Sequence, residues 1–136
     1  EAATAAGRNV PKVIAVTILT SLDADALLEV GIEGTPRTAA LRLAVLAKES
    51  GLDGVVCSPE EIVAIRAACG PEFLLVVPGI RPAGSAAADQ KRIATPGSAA
   101  KAGADLLVIG RPITGAADPA AAAREIAREI DAGLAG

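Results

Sequence analysis

The sequence predicts an α/β fold in which a parallel β-sheet is covered by α-helices. About half of the residues are apolar, and most of these are Ala, Leu, Val and Ile, a mixture that favours helices together with buried strands. Four short apolar runs occur along the chain, and helix-start signals lie between them. Because the runs are continuous instead of alternating, they indicate parallel strands that are buried on both faces.

The predicted strands are residues 13–19, 54–57, 73–77 and 106–109. Residues 1–8 resemble the end of an earlier helix. Each predicted strand is followed by a segment with helical character, so the order is four successive βα units. Such repeats build a parallel sheet with right-handed crossovers.

The predicted helices cover residues 37–50, a unit that starts at Ser58, residues 97–102 and residues 119 to about 132. Gly51 supplies a stop for the first of them. Ser58 with Pro59 and Glu61 forms a capping-box pattern. Asp118 before Pro119 likewise predicts an N-cap followed by proline at the first helical position.

The number of units sets the architecture. A complete (β/α)8 barrel has roughly 250 residues, so the 136 residues of this chain correspond to about half of one. We treat residues 1–136 as one domain with no second domain. A four-stranded parallel sheet has two bare edges. The alternative is a small doubly wound sheet, but no GxGxxG or phosphate-binding P-loop motif follows any predicted strand.

Composition excludes several classes of function. The chain has no histidine, which removes the commonest general base and metal ligand. Phe73 is the only aromatic residue and the net charge is −3, so we expect no nucleic-acid partner. No apolar run approaches the length of a membrane span, and no secretory signal is visible. Cys57 and Cys69 are expected to be free and reduced, as is typical of a cytoplasmic protein.

Polar loops follow three of the predicted strands, where α/β folds place their sites. They carry Thr20 and Ser21, then Pro78-Gly79-Ile80-Arg81-Pro82, then Gly110-Arg111-Pro112. A glycine after a strand lets backbone N–H groups approach an oxyanion, and an adjacent arginine offers a fork of donors that suits phosphate. The pattern therefore predicts a phosphate site, with solvated surface arginines and simple turn glycines as the alternative.

The motifs VTILTSLD (16–23), GLDGVVCSPEE (51–61), LLVVPGIRPAGSAAADQKR (74–92) and DLLVIGRPITGAADPAAAA (105–123) resemble the bacterial orotidine 5'-phosphate decarboxylase family. The resemblance covers essentially the whole chain and implies the last four βα units of a (β/α)8 barrel. It implies substrate-binding roles for Thr20, Pro78, Arg81, Gln90, Gly110 and Arg111. It also implies a cytoplasmic homodimer that uses no metal or organic cofactor and releases carbon dioxide from orotidine 5'-monophosphate to give uridine 5'-monophosphate.

The resemblance also identifies what the chain lacks. The family's catalytic network is a Lys–Asp–Lys–Asp arrangement, marked by an aspartate, a lysine two positions later and an aspartate three beyond that. No segment of this sequence has that pattern. We therefore expect the isolated chain to bind nucleotide weakly and to be inactive, with a complementary amino-terminal half as its expected partner. The alternatives are a stand-alone half-barrel that binds phosphate, or a sister sugar-phosphate enzyme of the same superfamily.

Overall fold

The computed structural model describes residues 7, 9–82 and 93–136. Its strands are β1 (Ile14–Val16), β2 (Gly54–Val56), β3 (Leu74–Val77) and β4 (Leu106–Leu107). They form one sheet in the order β1-β2-β3-β4, with every neighbouring pair parallel. All four predicted strands are confirmed, but each is shorter than its apolar run.

The helices of the described residues are α1 (Ala24–Glu29), α2 (Pro36–Glu49), α3 (Ile62–Cys69), α4 (Pro96–Lys101), α5 (Arg111–Thr114) and α6 (Pro119–Ala135), with a 3₁₀ turn at Pro59–Glu61. The four predicted helices are confirmed within a few residues at their ends. Asp118 caps α6 by accepting the Ala121 N–H at 2.9 Å, and Thr95 caps α4 in the same way. Helices α1 and α5, with six and four residues, were not predicted.

The hydrophobic core lies between the sheet and the helices. Val55, Leu75 and Val77 point from the central strands into this core and have no solvent exposure. Small residues of α2 and the fully buried Ile62 and Ile65 of α3 cover them. The helix-facing side of the sheet is therefore packed as the sequence predicts.

The opposite side of the sheet corrects one prediction. Outer strands β1 and β4 are not buried on both faces, since Val16 is 58% exposed and Leu106 is 56% exposed. Val108, just beyond β4, is 50% exposed. The uninterrupted apolar runs belong to a sheet whose second face is apolar, and the described residues leave much of that face uncovered. We call this surface, formed by Ile14, Val16, Leu106 and Val108, the open face.

Helices α4 and α6 cross at two glycines. A Cβ atom built on Gly133 would lie 2.3 Å from the Gly97 carbonyl oxygen, and one built on Gly97 would lie 2.7 Å from the Glu129 carbonyl oxygen. Both contacts are with backbone, which cannot rotate away. The crossing therefore requires glycine at positions 97 and 133.

The described helices include none with the length and hydropathy that a bilayer-crossing segment needs. Cys57 and Cys69 are both free and buried, as predicted. Burial raises the pKa of the Cys69 thiol.

Asp53 joins the start of β2 to the residue before β1. Its carboxylate accepts the Val13 N–H at 2.7 Å and an ion pair from Lys12 at 2.9 Å. These two contacts lower the pKa of Asp53 below its ordinary value of 3.8. A carboxyl group with a lowered pKa in the folded state contributes stability that is complete above the ordinary value and is lost as the pH falls below it.

We expect Asp53→Asn to make the free energy of unfolding depend less steeply on pH in the acid range. The wild-type chain should lose unfolding free energy more steeply than the variant as the pH falls from about 5 towards 3. Urea unfolding followed by circular dichroism at several pH values measures the difference. Asp131→Asn on the exposed side of α6 is the control and should leave the wild-type slope unchanged; a variant curve parallel to the wild type would contradict the assignment.

Candidate functional site

The predicted site residues leave the sheet at one edge. Since all four strands are parallel, their carboxyl ends lie together, and this is the edge at which α/β folds place ligand sites. Thr20 follows β1, Pro78 and Arg81 follow β3, and Gly110 with Arg111 follows β4. Gln90 lies outside the described residues.

Thr20 and Pro78 share one cleft of about 250 Å³ at this edge. Thr20 is buried and Pro78 is half-buried. The cleft is lined by Val16, Ile18, Leu19, Thr20, Ser21, Val56, Cys57 and Pro78. Its walls are mostly apolar and its hydroxyl groups come from Thr20 and Ser21, so it suits a flat, partly apolar group with a few hydrogen-bonding positions.

The cleft also contains residues that the sequence did not single out. Val16 and Val56 line it because paired residues of neighbouring parallel strands share a face, and Cys57, the residue after β2, lines it at the strand end. The strand register alone could have identified Val56, which pairs with Val16.

Arg81 is a buried cation at the same edge. It is 7% exposed, and its guanidinium donates a hydrogen bond to the Ile80 carbonyl oxygen at 2.7 Å. No carboxylate of the described residues lies within ion-pair distance of this guanidinium. Burial makes a cation costly, so an anion bound beside this guanidinium would be stabilised by it.

The backbone around Arg81 is fixed on both sides. Gly79 turns the chain with a φ of 80°, a left-handed conformation that favours glycine. Beyond it, Ile80 forms a parallel bridge with Ala94: the Arg81 N–H donates to the Ala94 carbonyl at 2.9 Å, and the Ala94 N–H donates to Gly79 at 3.1 Å. The two ends of the connection between β3 and α4 are therefore joined at its base.

Arg111 is the first residue of α5, and Gly110 precedes it as the N-cap. Both residues are exposed. A Cβ on Gly110 would meet open space, so glycine is not required there by crowding. Arg111 is thus exposed where Arg81 is buried.

The strand end after β2 has a structural arrangement that the sequence only partly revealed. Pro59–Glu61 is a 3₁₀ turn, and the Glu61 carboxylate reaches back to accept the Ser58 N–H at 2.6 Å. The capping-box prediction is confirmed for this bond. The complete burial of both Ser58 and Glu61 was not predicted, because a Ser-Pro-Glu-Glu sequence is ordinarily exposed.

The described residues contain no cluster of three or more His, Cys, Asp or Glu side chains that could hold a metal ion. Among the described residues, this edge offers two arginines, two hydroxyl groups and backbone N–H groups. This chemistry is suited to holding an anion.

Comparison with known protein families gives a match over nearly the whole chain. The family model described as "Orotidine 5'-phosphate decarboxylase / HUMPS family" matches residues 1–126. An orotidine 5'-phosphate decarboxylase from Moorella thermoacetica is 61% identical over 132 residues, which are 96% of this chain and 52% of that protein. One from Gluconobacter oxydans is 58% identical over 130 residues, covering 96% of this chain and 55% of the relative.

Solved structures agree. The crystal structure of orotidine 5'-phosphate decarboxylase from Lactobacillus acidophilus matches with a TM-score of 0.76 and 44% identity, over 92% of this chain and 51% of that chain. The enzyme from Pyrococcus horikoshii matches with a TM-score of 0.65 and 28% identity, over 88% of this chain and 51% of that chain.

The chain spans about half the length of the curated relatives that it matches. Its open four-stranded parallel sheet is correspondingly a half-barrel, as the sequence predicts. The match over residues 1–126 and the identity near 60% are sufficient to place it: the chain belongs to the orotidine 5'-phosphate decarboxylase / HUMPS family.

Proposed function

We propose that this chain is the phosphate- and nucleotide-binding half of an orotidine 5'-phosphate decarboxylase, which converts orotidine 5'-monophosphate to uridine 5'-monophosphate and carbon dioxide. The observation that carries the proposal is the buried Arg81 guanidinium at the carboxyl edge of the sheet, one strand away from Gly110 and Arg111. Relatives with about 60% identity bear the name of this enzyme.

The residues divide into two groups in this proposal. Arg81, Gly110 and Arg111 bind the phosphate through charge-assisted hydrogen bonds and backbone N–H groups. Thr20 and Pro78 lie in the apolar cleft and contact the ribose and pyrimidine, and Gln90 completes the binding set. The phosphate is remote from the reacting carbon, so its binding free energy serves to position the ring and to stabilise the transition state there.

This chain contributes no group for the proton transfer. The proton that replaces carbon dioxide on the ring must come from an acid beside that carbon. The sequence has no aspartate–lysine–aspartate motif of the kind the family uses. We therefore assign the proton transfer to a complementary amino-terminal half, and no metal or cofactor takes part.

The open face supports the complementary half as partner. Large apolar side chains with half their surface in water are stabilised when they are covered. Edge strands β1 and β4 have free backbone groups on their outer sides within the described part of the sheet. Four further strands would pair with both edges and cover this face, and the completed barrel would form a cytoplasmic homodimer.

A stand-alone half-barrel that binds phosphate is the second candidate, since the same two arginines serve it equally. A sister sugar-phosphate enzyme is a third, because the matching family model also includes that branch. Affinity for uridine monophosphate compared with ribulose phosphate distinguishes the third from the other two.

The test is nucleotide binding by the 136-residue chain, followed by ¹H–¹⁵N NMR titration. We expect uridine 5'-monophosphate to bind more tightly than uridine, because phosphate supplies most of the contacts. Arg111→Ala should weaken monophosphate binding by about tenfold or more and leave uridine binding unchanged. Arg42→Ala on helix α2 is the matched control. Equal affinity for nucleotide and nucleoside would reject the phosphate-binding role.

A further inference from the structure

Asp105 attaches β4 to β3 through two hydrogen bonds at the end of the sheet opposite the candidate site. Its backbone N–H donates to the Leu75 carbonyl oxygen at 3.1 Å. Its carboxylate accepts the Leu75 N–H at 2.7 Å. A side-chain oxygen thus takes the place of a backbone acceptor in the ladder and fixes where β4 begins along β3.

Arg66 of helix α3 holds that carboxylate in place. Its guanidinium donates to Asp105 at 2.6 Å. It also donates to four backbone carbonyls, those of Gly70 at 3.0 Å, Pro71 at 2.9 Å, Phe73 at 2.8 Å and Gly103 at 2.7 Å. The Arg66 side chain is 21% exposed. This rigid fork of donors ties the loop before β3 to the loop before β4.

Strand β4 has few other attachments. It pairs with β3 through Leu106 and Leu107, and the Val108 N–H donates to Val77 at 2.9 Å. Within the described residues no strand pairs with its outer side. Gly110 and Arg111 follow directly, so the place of β4 on β3 decides where these two residues stand relative to Arg81.

We propose that Asp105 and Arg66 are positioning residues for the phosphate-binding end of β4. They act through the strand and do not contact the ligand. The proposal rests on the phosphate-binding role proposed above for Gly110 and Arg111. Its structural part, that Asp105 fixes the place of Gly110 and Arg111, can be tested without ligand.

The chain contains its own control for this idea. Asp53 makes the same pair of bonds between β1 and β2: its N–H donates to Val13 at 2.8 Å and its carboxylate accepts the Val13 N–H at 2.7 Å. Lys12 takes the place of the arginine at 2.9 Å. Loss of the Asp53 clamp should perturb strands β1 and β2, which lead to Thr20 and do not carry Gly110 and Arg111. The gain in affinity that the phosphate group provides should therefore be unaffected.

The experiment compares Asp105→Ala, Asp105→Asn and Asp53→Ala in the 136-residue chain. Uridine 5'-monophosphate affinity is measured by NMR at a temperature at which each variant is folded. Uridine affinity is measured in the same way, and the ratio of the two affinities isolates the contribution of the phosphate. We expect Asp105→Ala to lower this affinity ratio on the order of tenfold, because small displacements of binding groups are expensive. Asp53→Ala displaces strand β1 and Thr20 and should change the ratio less than about twofold. Asp105→Asn keeps one acceptor oxygen and should recover part of the loss.

The ligand-free spectra supply the independent readout. Asp105→Ala should shift the amide resonances of Gly110 and Arg111 and speed hydrogen exchange at the Val108 N–H, and Asp53→Ala should do neither. If Asp105→Ala unfolds, Asp105→Asn carries the comparison. Unshifted Gly110 and Arg111 resonances, or an equal fall of the nucleotide-to-nucleoside affinity ratio in the Asp105 and Asp53 variants, would overturn the proposal. Failure of the wild-type chain to bind nucleotide would refute only the phosphate-binding role of Gly110 and Arg111. The ligand-free spectra would still show whether Asp105 fixes the position of these two residues.

Discussion

The isolated 136-residue chain is expected to release no carbon dioxide from orotidine 5'-monophosphate, and a complementary amino-terminal half is expected to restore the reaction. The reason is a separation of roles. The chain has the buried Arg81 and the exposed Arg111 to hold a phosphate, and it has no motif to supply the proton. Binding without the acid lowers no barrier at the ring.

The experiment mixes or co-expresses this chain with the amino-terminal half of the Moorella thermoacetica relative. That relative is suitable because the present chain is 61% identical to it over 132 residues. Turnover is followed by loss of substrate absorbance, after denatured intact mass has verified each species. A complement with its motif lysine replaced by alanine should remain inactive. In the restored assembly, Arg111→Ala should lower kcat/KM roughly a hundredfold. Turnover by the chain alone, at verified purity, would contradict the assignment.

Gly133→Ala is expected to destabilise the chain by about 2 kcal/mol, although alanine is the better helix former. Helix propensity favours alanine by about 1 kcal/mol. Against this, the new Cβ would stand 2.3 Å from the Gly97 carbonyl oxygen and 2.6 Å from the Gly97 Cα. Overpacking against backbone typically costs 1–3 kcal/mol, occasionally more, so helices α4 and α6 must move apart.

Urea unfolding followed by circular dichroism measures the effect. Gly136→Ala in the same region is the matched control, since its Cβ would make only an ordinary contact, 3.9 Å from the Ala132 carbonyl oxygen. We expect the control to stay within about 0.5 kcal/mol of the wild type. A Gly133→Ala chain as stable as the control would show that the two helices separate at little cost.

Local signals predicted most of the fold. Capping residues such as Thr95 and Asp118 act within one turn, so the sequence alone locates the starts of α4 and α6. The exposure of Val16 and Leu106 could not be predicted in this way. An apolar run indicates that its side chains are suited to burial. Whether other residues cover those side chains depends on how many strands the complete sheet has.

The sequence predicted where the candidate site residues lie along the strands, but it did not predict how buried each of them is. Thr20 and Pro78 do share one cleft at the carboxyl edge. The burial of Arg81 and the exposure of Arg111 could not be distinguished beforehand, since both arginines follow a glycine after a strand. Arg81 lies next to the Ile80–Ala94 bridge, a contact between two separate segments that local sequence signals do not reveal.

The Asp53 and Asp105 clamps also separate two requirements on the same sheet. Each follows a glycine with positive φ, Gly51 or Gly103, and each joins the start of one strand to its neighbour, at the end of the sheet away from the candidate site. The side chains that fix strand register therefore lie apart from Thr20, Gly110 and Arg111 at the opposite strand ends. Substitutions that change ligand binding at those ends leave both clamps in place, so specificity can vary on a constant framework.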